Sequence, residues 1–500
     1  MYNDTSENYN LPAASLADFK PLPKDEAQYP LEYIQNNLVI KLRESEQKVC
    51  IGICDQGNIE LIENLSNFHK KPVTFYYIEK SEMAAYLGEL LSQIDKGDGY
   101  KEKKGDEKIL IDEVANDAPI VNLLNSLMIE AIRKNASDIH IECFSDGAVV
   151  RYRIDGYLQT VHTLEKDKFP AVASRIKIMA NLNIMEKRLP QDGRITVHLE
   201  QDIVDLRVSI VPIANGESIV LRLFNKKRTP LELPQVGLAK KDLHTLRQLA
   251  LKHHGLVLVT GPTGSGKTTT LNAVLREIRS DTTKIITIED PIEYIIDGID
   301  QIQTNEKIGL TFDSILRRVL RQDPNIIMVG EIRDSQTAEL AIRAALTGHL
   351  VFSTLHTNDS VSSISRLKNM GVESFLLAAV FRAAIAQRLA RRICEKCKEK
   401  VTVTPAQASL LKKYDFHFKT VYQGKGCHAC NDTGYKGRVG IFEICLPDET
   451  LEEMIVKDRR DSEMKNYLTS KGMSTLMQSG LKMVKEGITS ISEIERVVTL

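Results

Sequence analysis

The chain has 500 residues, 42% of them apolar, which suits roughly three globular domains and excludes a disordered or low-complexity protein. Its 66 basic and 67 acidic residues leave a net charge of −1, so no general electrostatic pull toward nucleic acid or anionic lipid exists. No uninterrupted apolar run approaches the ~20 residues that span a bilayer, and Met1-Tyr2-Asn3-Asp4 lacks the basic-then-apolar pattern of a signal peptide; the expected location is cytoplasmic, with membrane contact made through partners.

Residues 1–94 mix short alternating segments with helical ones and predict a small α+β domain. Within it, 48–54 is apolar and partly β-branched, as a strand requires, and helical pattern returns over 81–94. Residues 95–108 are charged and nearly free of large apolar groups, which is linker composition. A second domain over 109–225 begins with helical spacing through Val121, Leu124, Met128 and Ile132. Alternation then predicts strands at 139–142, 149–154, 195–199, 204–210 and 218–223, with a helix near 171–182. That order predicts antiparallel strands with helices packed on one face. Residues 226–237, polar and proline-bearing, predict a hinge.

From 238 to 500 helix and strand alternate: helix 239–252, strand 256–260, helix 267–279, strands 284–288 and 326–330, helix 335–347, strand 350–354. This predicts a doubly wound α/β domain that binds ligand at the carboxyl ends of its strands. A cysteine-bearing segment, 394–430, and a helical tail, 448–500, complete the chain.

Residues 261–268 read GPTGSGKT, a complete G-x-x-x-x-G-K-[ST] phosphate loop between an apolar run and a helix-compatible stretch. A glycine-rich turn that merely contains lysine is the bland alternative, and the strand–loop–helix context disfavours it. Residues Gly261, Pro262, Thr263, Gly264, Ser265, Gly266, Lys267, Thr268 and Thr269 form the expected cradle for ATP, with backbone N–H groups supplied by all but Pro262. Lys267 would neutralise the β- and γ-phosphates, and the Thr268 hydroxyl would hold Mg²⁺. Carboxylates follow two apolar strands: Glu289 and Asp290 immediately after 285–288, and Glu331 after 326–330. Hydrolysis needs one anionic group near Mg²⁺ and another that orients or deprotonates water; spacing does not say which is which.

Cys394, Cys397, Cys427 and Cys430 form two C-x-x-C pairs separated by 29 residues. Four thiolates satisfy tetrahedral Zn²⁺ and leave no open position, so the expected site is structural. Disulfides or reduced buried thiols are the alternatives. Cys50, Cys54, Cys143 and Cys445 are expected in cores.

Three further stretches carry a resemblance. Residues 286–294 (ITIEDPIEY), 311–333 (TFDSILRRVLRQDPNIIMVGEIR) and 347–358 (TGHLVFSTLHTN) resemble the Asp box, Walker B region and His box of the secretion-ATPase superfamily, the motors of type II secretion and type IV pilus assembly. The likeness runs from about residue 118 to the C-terminus and is greatest to the type II secretion ATPase, the GspE group. It implies a RecA-like phosphate-loop domain preceded by a PAS-like domain that flanks the nucleotide. It also implies that Glu289 is the catalytic Asp-box glutamate and that Glu331 lies near Mg²⁺, directly or through water. His349 and His356 would sense the γ-phosphate. Arg207 and Arg222 would reach into the nucleotide site, with Arg194 a third candidate. The cysteines and the following 434–438 (GYKGR) match the tetracysteine module of secretion and pilus-extension ATPases, which retraction motors generally lack.

The implied assembly is a homo-hexameric ring, peripheral at the inner membrane. Its N-terminal domain would dock on a partner's cytoplasmic domain, and its motion would pass to a platform protein that builds a pseudopilus for protein export. A type IV pilus extension motor is the alternative. A nucleic-acid translocase and a non-catalytic zinc-stabilised scaffold are rivals from other classes; neutral charge, no Trp and 6% aromatic content count against the first, and the intact acids and histidines against the second.

Overall fold

The structure, a computed structural model, describes residues 11–86 apart from 21, 24–28, 30–33, 35–36, 46, 70 and 84–85, then 118–199, 202–225 and 231–498. The expected linker 95–108 and the part of the 81–94 helix beyond residue 86 lie outside the described residues. The chain divides into two compact units, 1–105 and 106–500.

The first unit holds strands β1 (Val39–Glu44) and β2 (Val49–Ile53), helix α1 (Ile59–Phe68) and strand β3 (Val73–Tyr77). The Asn58 side chain caps α1 by accepting from the Leu61 N–H. The sheet order is β1-β2-β3, antiparallel then parallel, so α1 serves as the crossover that a parallel pair needs. Every residue of β2 is buried because both faces are covered. Val49, Ile51 and Ile53 point to one core and Cys50 to the other, where Cys54 joins it.

The second unit begins with α2 (Ala118–Arg133), β4 (Asp138–Phe144), β5 (Gly147–Ile154), β6 (Tyr157–Leu164), α3 (Phe169–Met179), β7 (Gln191–Leu199), β8 (Asp202–Ile213) and β9 (Gly216–Asn225). These strands form one antiparallel sheet in the order β6-β5-β4-β9-β8-β7. Alternation puts Ile139, Ile141, Val150, Leu206, Val208 and Leu221 on the face that α2 and α3 cover, together with Cys143. The other face is polar, and the site described below uses it.

After α4 (Lys240–Ala250) come β10 (Gly255–Thr260), α5 (Lys267–Ile278), β11 (Ile285–Glu289), β12 (Asp300–Gln303), α6 (Phe312–Val319), β13 (Ile326–Val329), α7 (Ser335–Leu346), β14 (Leu350–Leu355), α8 (Ser362–Asn369) and α9 (Ser374–Val380). Strand β15 (Phe381–Ile393) follows, then β16 (Lys398–Thr402), α10 (Pro405–Lys413), β17 (Thr420–Gly424) and β18 (Tyr435–Cys445). The tail is helical throughout: α11 (Glu449–Val456), α12 (Asp461–Ser470), α13 (Leu476–Lys485) and α14 (Ile491–Val498).

The sheet order is β12-β11-β13-β14-β10-β15-β18, parallel except for β18. Strand β10 is buried at every position because helices cover both faces. Leu256 and Leu258 face a core shared with α6 and α7, whereas Val257 and Val259 face one shared with α4 and α5. The cysteine module is an excursion between two neighbouring strands, β15 and β18, with its own small hairpin β16–β17.

Part of the expected hinge is not free. Residues 226–230 lie outside the described residues, but in 231–237 Leu233 and Val236 are buried in the core under α5. Two apolar side chains on that stretch gain more by burial than a solvated linker would. The antiparallel domain is also tied to the phosphate-loop domain. The β5–β6 turn residue Asp155 accepts from the Gly437 N–H at 2.7 Å and pairs with Arg438 at 3.7 Å. The Arg391 guanidinium stacks between Tyr157 and Tyr435. These contacts explain why residues 106–500 form one unit.

Candidate active site

The phosphate loop joins β10 to α5, whose first residue is Lys267. Gly266 caps α5 with φ of 88°, a left-handed value that a residue with a Cβ adopts at a penalty. The Lys267 Nζ donates to the Gly261 and Pro262 carbonyls at 2.8 and 3.1 Å, so the loop curls around its own lysine. Burial lowers its ammonium to about 8; Glu331 opposes the shift and Arg388 adds to it. A buried ammonium held on its own loop's carbonyls is poised to exchange them for phosphate oxygens.

Parallel pairing brings the other groups to the same edge. Strand β11 ends at Glu289, β13 is followed by Gly330 and Glu331, and β14 is followed by His356. Glu331 Oε1 lies 3.1 Å from His356 Nε2, and its Oε2 accepts from Arg333 Nε at 2.8 Å. Burial pulls His356 below the usual imidazole range, Lys267 and Arg333 pull the same way, and Glu331 opposes them. That direction favours the neutral imidazole, held within ion-pair distance of the Glu331 carboxylate. The Thr268 hydroxyl and the Glu331 carboxylate are hard oxygen donors beside a phosphate loop, the chemistry that Mg²⁺ takes.

Glu289 is 2% exposed. Its Oε1 accepts from Thr287 Oγ1 at 2.7 Å and Gln301 Nε2 at 2.9 Å, while Oε2 has no hydrogen-bond partner. Burial raises its carboxyl, with the two hydrogen bonds opposing. A buried carboxylate with one oxygen unsatisfied is a strong acceptor for a water proton. Glu293, four residues beyond Glu289, is exposed, and desolvation and Glu289 raise its carboxyl while Arg222 and Arg207 oppose them.

The arginines come from the polar face of the antiparallel sheet. Register aligns Arg194, Arg207, Arg222, Asp138 and Arg153 in one row across β7, β8, β9, β4 and β5. Residues directly opposite on neighbouring strands share a face. Arg222 Nε pairs with Asp138 at 3.0 Å, and the Arg207 guanidinium stacks on Phe224, 4.6 Å from the ring centroid. Burial and the charges of Arg194 and Arg222 lower Arg207, while Asp290 and Glu293 act on it in the opposite sense. The row thus faces the segment that follows Glu289.

His349 does not join this site. It precedes β14, its Nδ1 lies 2.9 Å from the Ala344 carbonyl, and its own carbonyl accepts from the Gly255 N–H at the start of β10. The phosphate loop leaves the far end of β10. With ~3.3 Å of rise per residue, His349 is about 20 Å from His356 along the strand. Of the two histidines expected to sense the γ-phosphate, the fold therefore brings only His356 to the phosphate-loop end of the sheet.

The four module cysteines converge. Their sulfurs all lie within 4.8 Å of one another, with separations of 3.9 Å for Cys394–Cys427, 3.8 Å for Cys397–Cys430 and 3.7 Å for Cys427–Cys430. Four sulfurs at ~2.3 Å from a shared tetrahedral centre stand about 3.8 Å apart, so the set fits zinc, and the spacing is too long for disulfides. Cys50, Cys54, Cys143 and Cys445 are all buried.

Residues 113–496 match the family model described as Type II/IV secretion system protein, and residues 9–96 match the MshEN domain. Type II secretion system protein E of Pseudomonas aeruginosa is 46% identical over 385 residues, 77% of this chain and 76% of that protein. The type IV pilus assembly ATPase PilB of Myxococcus xanthus is 40% identical over 510 residues, 98% of this chain and 89% of that one. Among solved structures, the pilus retraction motor PilT with bound ADP is 27% identical with a TM-score of 0.50, covering 74% of this chain and 95% of that one. The ATPase DotB of Legionella pneumophila, 21% identical with a TM-score of 0.55 over 75% of this chain and 94% of its own, shares the fold.

Proposed function

The chain belongs to the Type II/IV secretion system protein family, and from that premise we propose that it is the ring ATPase of a type II secretion system. ATP hydrolysis at the phosphate loop drives pseudopilus assembly and protein export. The observation that carries this reading is the meeting of Lys267, Glu289, Glu331 and His356 at one sheet edge, faced by the Arg207–Arg222 row.

The geometry supports the following roles. Lys267 gives up its loop carbonyls to hold the β- and γ-phosphates, while the loop N–H groups and the N-terminus of α5 supply further positive potential. Thr268 and Glu331 would hold Mg²⁺, directly or through water, and the ion would neutralise charge on the phosphates. Glu289 orients the attacking water and takes its proton. His356, 3.1 Å from the Glu331 carboxylate, would report the γ-phosphate. Arg207 and Arg222 supply positive charge from the second domain, so loss of phosphate weakens the attraction between the domains and permits their relative motion. The four cysteines would hold Zn²⁺ in a closed site with no part in the reaction.

A cytoplasmic hexamer recruited to the inner membrane through residues 1–94 fits this role. Among the described residues no helix is long and apolar enough to cross a membrane. The near-complete match to a pilus assembly ATPase favours type IV pilus extension as a second reading. Lys267→Ala tests the motor itself: phosphate release should fall to background, and export should stop with it. Turnover and export both at wild-type levels would remove the proposal, and loss of surface pili with export intact would move it to the second reading.

A further inference from the structure

We propose that Arg388, a buried arginine on β15 outside the nucleotide-binding motifs, is a positioning residue for the phosphate loop that strengthens nucleotide polyphosphate binding through its positive field from behind the loop. The inference rests on the loop holding nucleotide, as proposed above.

Arg388 is only 3% exposed, yet among the described residues it forms no ion pair. Its Nη2 donates to the Asn358 carbonyl at 2.8 Å and its Nη1 to the Gln387 carbonyl at 3.1 Å, and its Nε has no partner. The carboxylates that act on it electrostatically are engaged elsewhere. Glu443 accepts from the N–H and hydroxyl of Ser360 and from the Leu476 N–H, and Asp359 accepts from Lys465 Nζ. A buried cation with no carboxylate in direct contact is costly.

The position of the guanidinium explains its presence. A Cβ on Gly261 would stand 3.1 Å from Arg388 Nη1 and 2.5 Å from the Gln387 carbonyl, so the loop's first glycine lies directly against it. A Cβ on Gly266 would stand 2.8 Å from Gln387 Nε2, so the loop's last glycine rests on the neighbouring side chain. Asn358, which receives Nη2, is two residues beyond His356, so one guanidinium joins the floor of the loop to the strand end that carries the histidine. Its charge also reaches Lys267 and disfavours that ammonium. Two buried cations repel until a polyanion enters between loop and solvent. Each then gains from the phosphates more than it would in water. Removing the Arg388 charge should therefore leave the nucleotide-free protein no less stable while weakening nucleotide binding. A residue that merely packs would show the opposite pattern.

The test measures the melting temperature without nucleotide and the Kd for Mg–ADP by calorimetry, in wild type, Arg388→Gln and Arg388→Lys. Expected for Arg388→Gln is an unchanged or higher melting temperature and a Kd raised about tenfold, since a tenfold change needs only about 1.4 kcal/mol of lost attraction. Arg388→Lys keeps the charge and should bind within about threefold of wild type. A glutamine variant that melts lower but binds Mg–ADP normally overturns the inference, as does a folded lysine variant that binds as weakly as glutamine. If the glutamine protein does not fold, the lysine variant decides by the same threshold. A wild-type chain that binds no Mg–ADP overturns the nucleotide reading itself, an outcome distinct from both.

Discussion

Replacing Glu289 by glutamine separates two effects that the native carboxylate combines. The side chain is 2% exposed, Oε1 is satisfied by Thr287 and Gln301, and Oε2 has no partner. Glutamine is nearly isosteric, so its carbonyl oxygen keeps both hydrogen bonds and only the charge is lost. For catalysis that loss is large: removing a positioned general base lowers turnover roughly 10²- to 10⁴-fold, or about 3–5 kcal/mol of barrier. For folding the sign reverses. The folded-state carboxyl is raised by burial, so between the ordinary value of about 4.3 and the folded value the native state holds the extra proton, and stability falls as pH rises through that window. Glutamine removes this penalty. The variant should melt no lower than wild type at pH 7, and the difference should vanish below about pH 4. Phosphate release and thermal melts at pH 4, 6 and 8 measure both arms. Turnover within threefold of wild type at pH 8, or a variant clearly less stable at pH 7, refutes the assignment of Glu289 as a buried base.

Other residues give independent tests. Arg207→Ala should bind Mg–ATP as wild type does while turnover of the assembled protein drops at least about tenfold; unchanged turnover takes Arg207 out of the site. Cys394→Ser should lower zinc content measured by metal analysis and expose 394–430 to protease, because a three-thiolate set holds the ion less tightly; full zinc retention would assign the cysteines another role. Lys177, 1% exposed, pairs with Glu217 at 2.7 Å and donates to the Glu186 carbonyl. Lys177→Met should destabilise by about 3–5 kcal/mol through the stranded carboxylate, and adding Glu217→Gln should recover much of it; denaturant titration reads both.

Much of the antiparallel domain was legible because alternation survives wherever one face of a sheet is buried and the other solvated. The strands around Ile139, Val150, Leu206 and Leu221 all obey it. Strand β6 (Tyr157–Leu164) carries no such signal because it is an edge strand, largely exposed, with little apolar alternation. Strand β15 hid for another reason. Its sequence FRAAIAQRLARRI is rich in alanine, a helix former, and only parallel pairing beside β10 makes it a central strand. With β15 unseen, Gln387 and Arg388 had no place in the site, although a Gln–Arg pair inside an apolar run was the available signal.

The chemistry of the phosphate loop was determined by the sequence alone, because eight contiguous residues supply glycines, lysine and threonine at a spacing that works wherever a strand feeds a helix. The zinc-type cysteines were readable for a similar reason: each pair is local, and four thiolates suit one ion. What only tertiary structure decided is which distant side chains share the loop's surroundings. Strand register brings Arg207 into line with Arg222, places His356 beside Glu331, and leaves His349 at the opposite end of β14. Direction and order of strands are set by which segments pair, over separations that reach from β10 to β15, and short motif spacings carry no record of it.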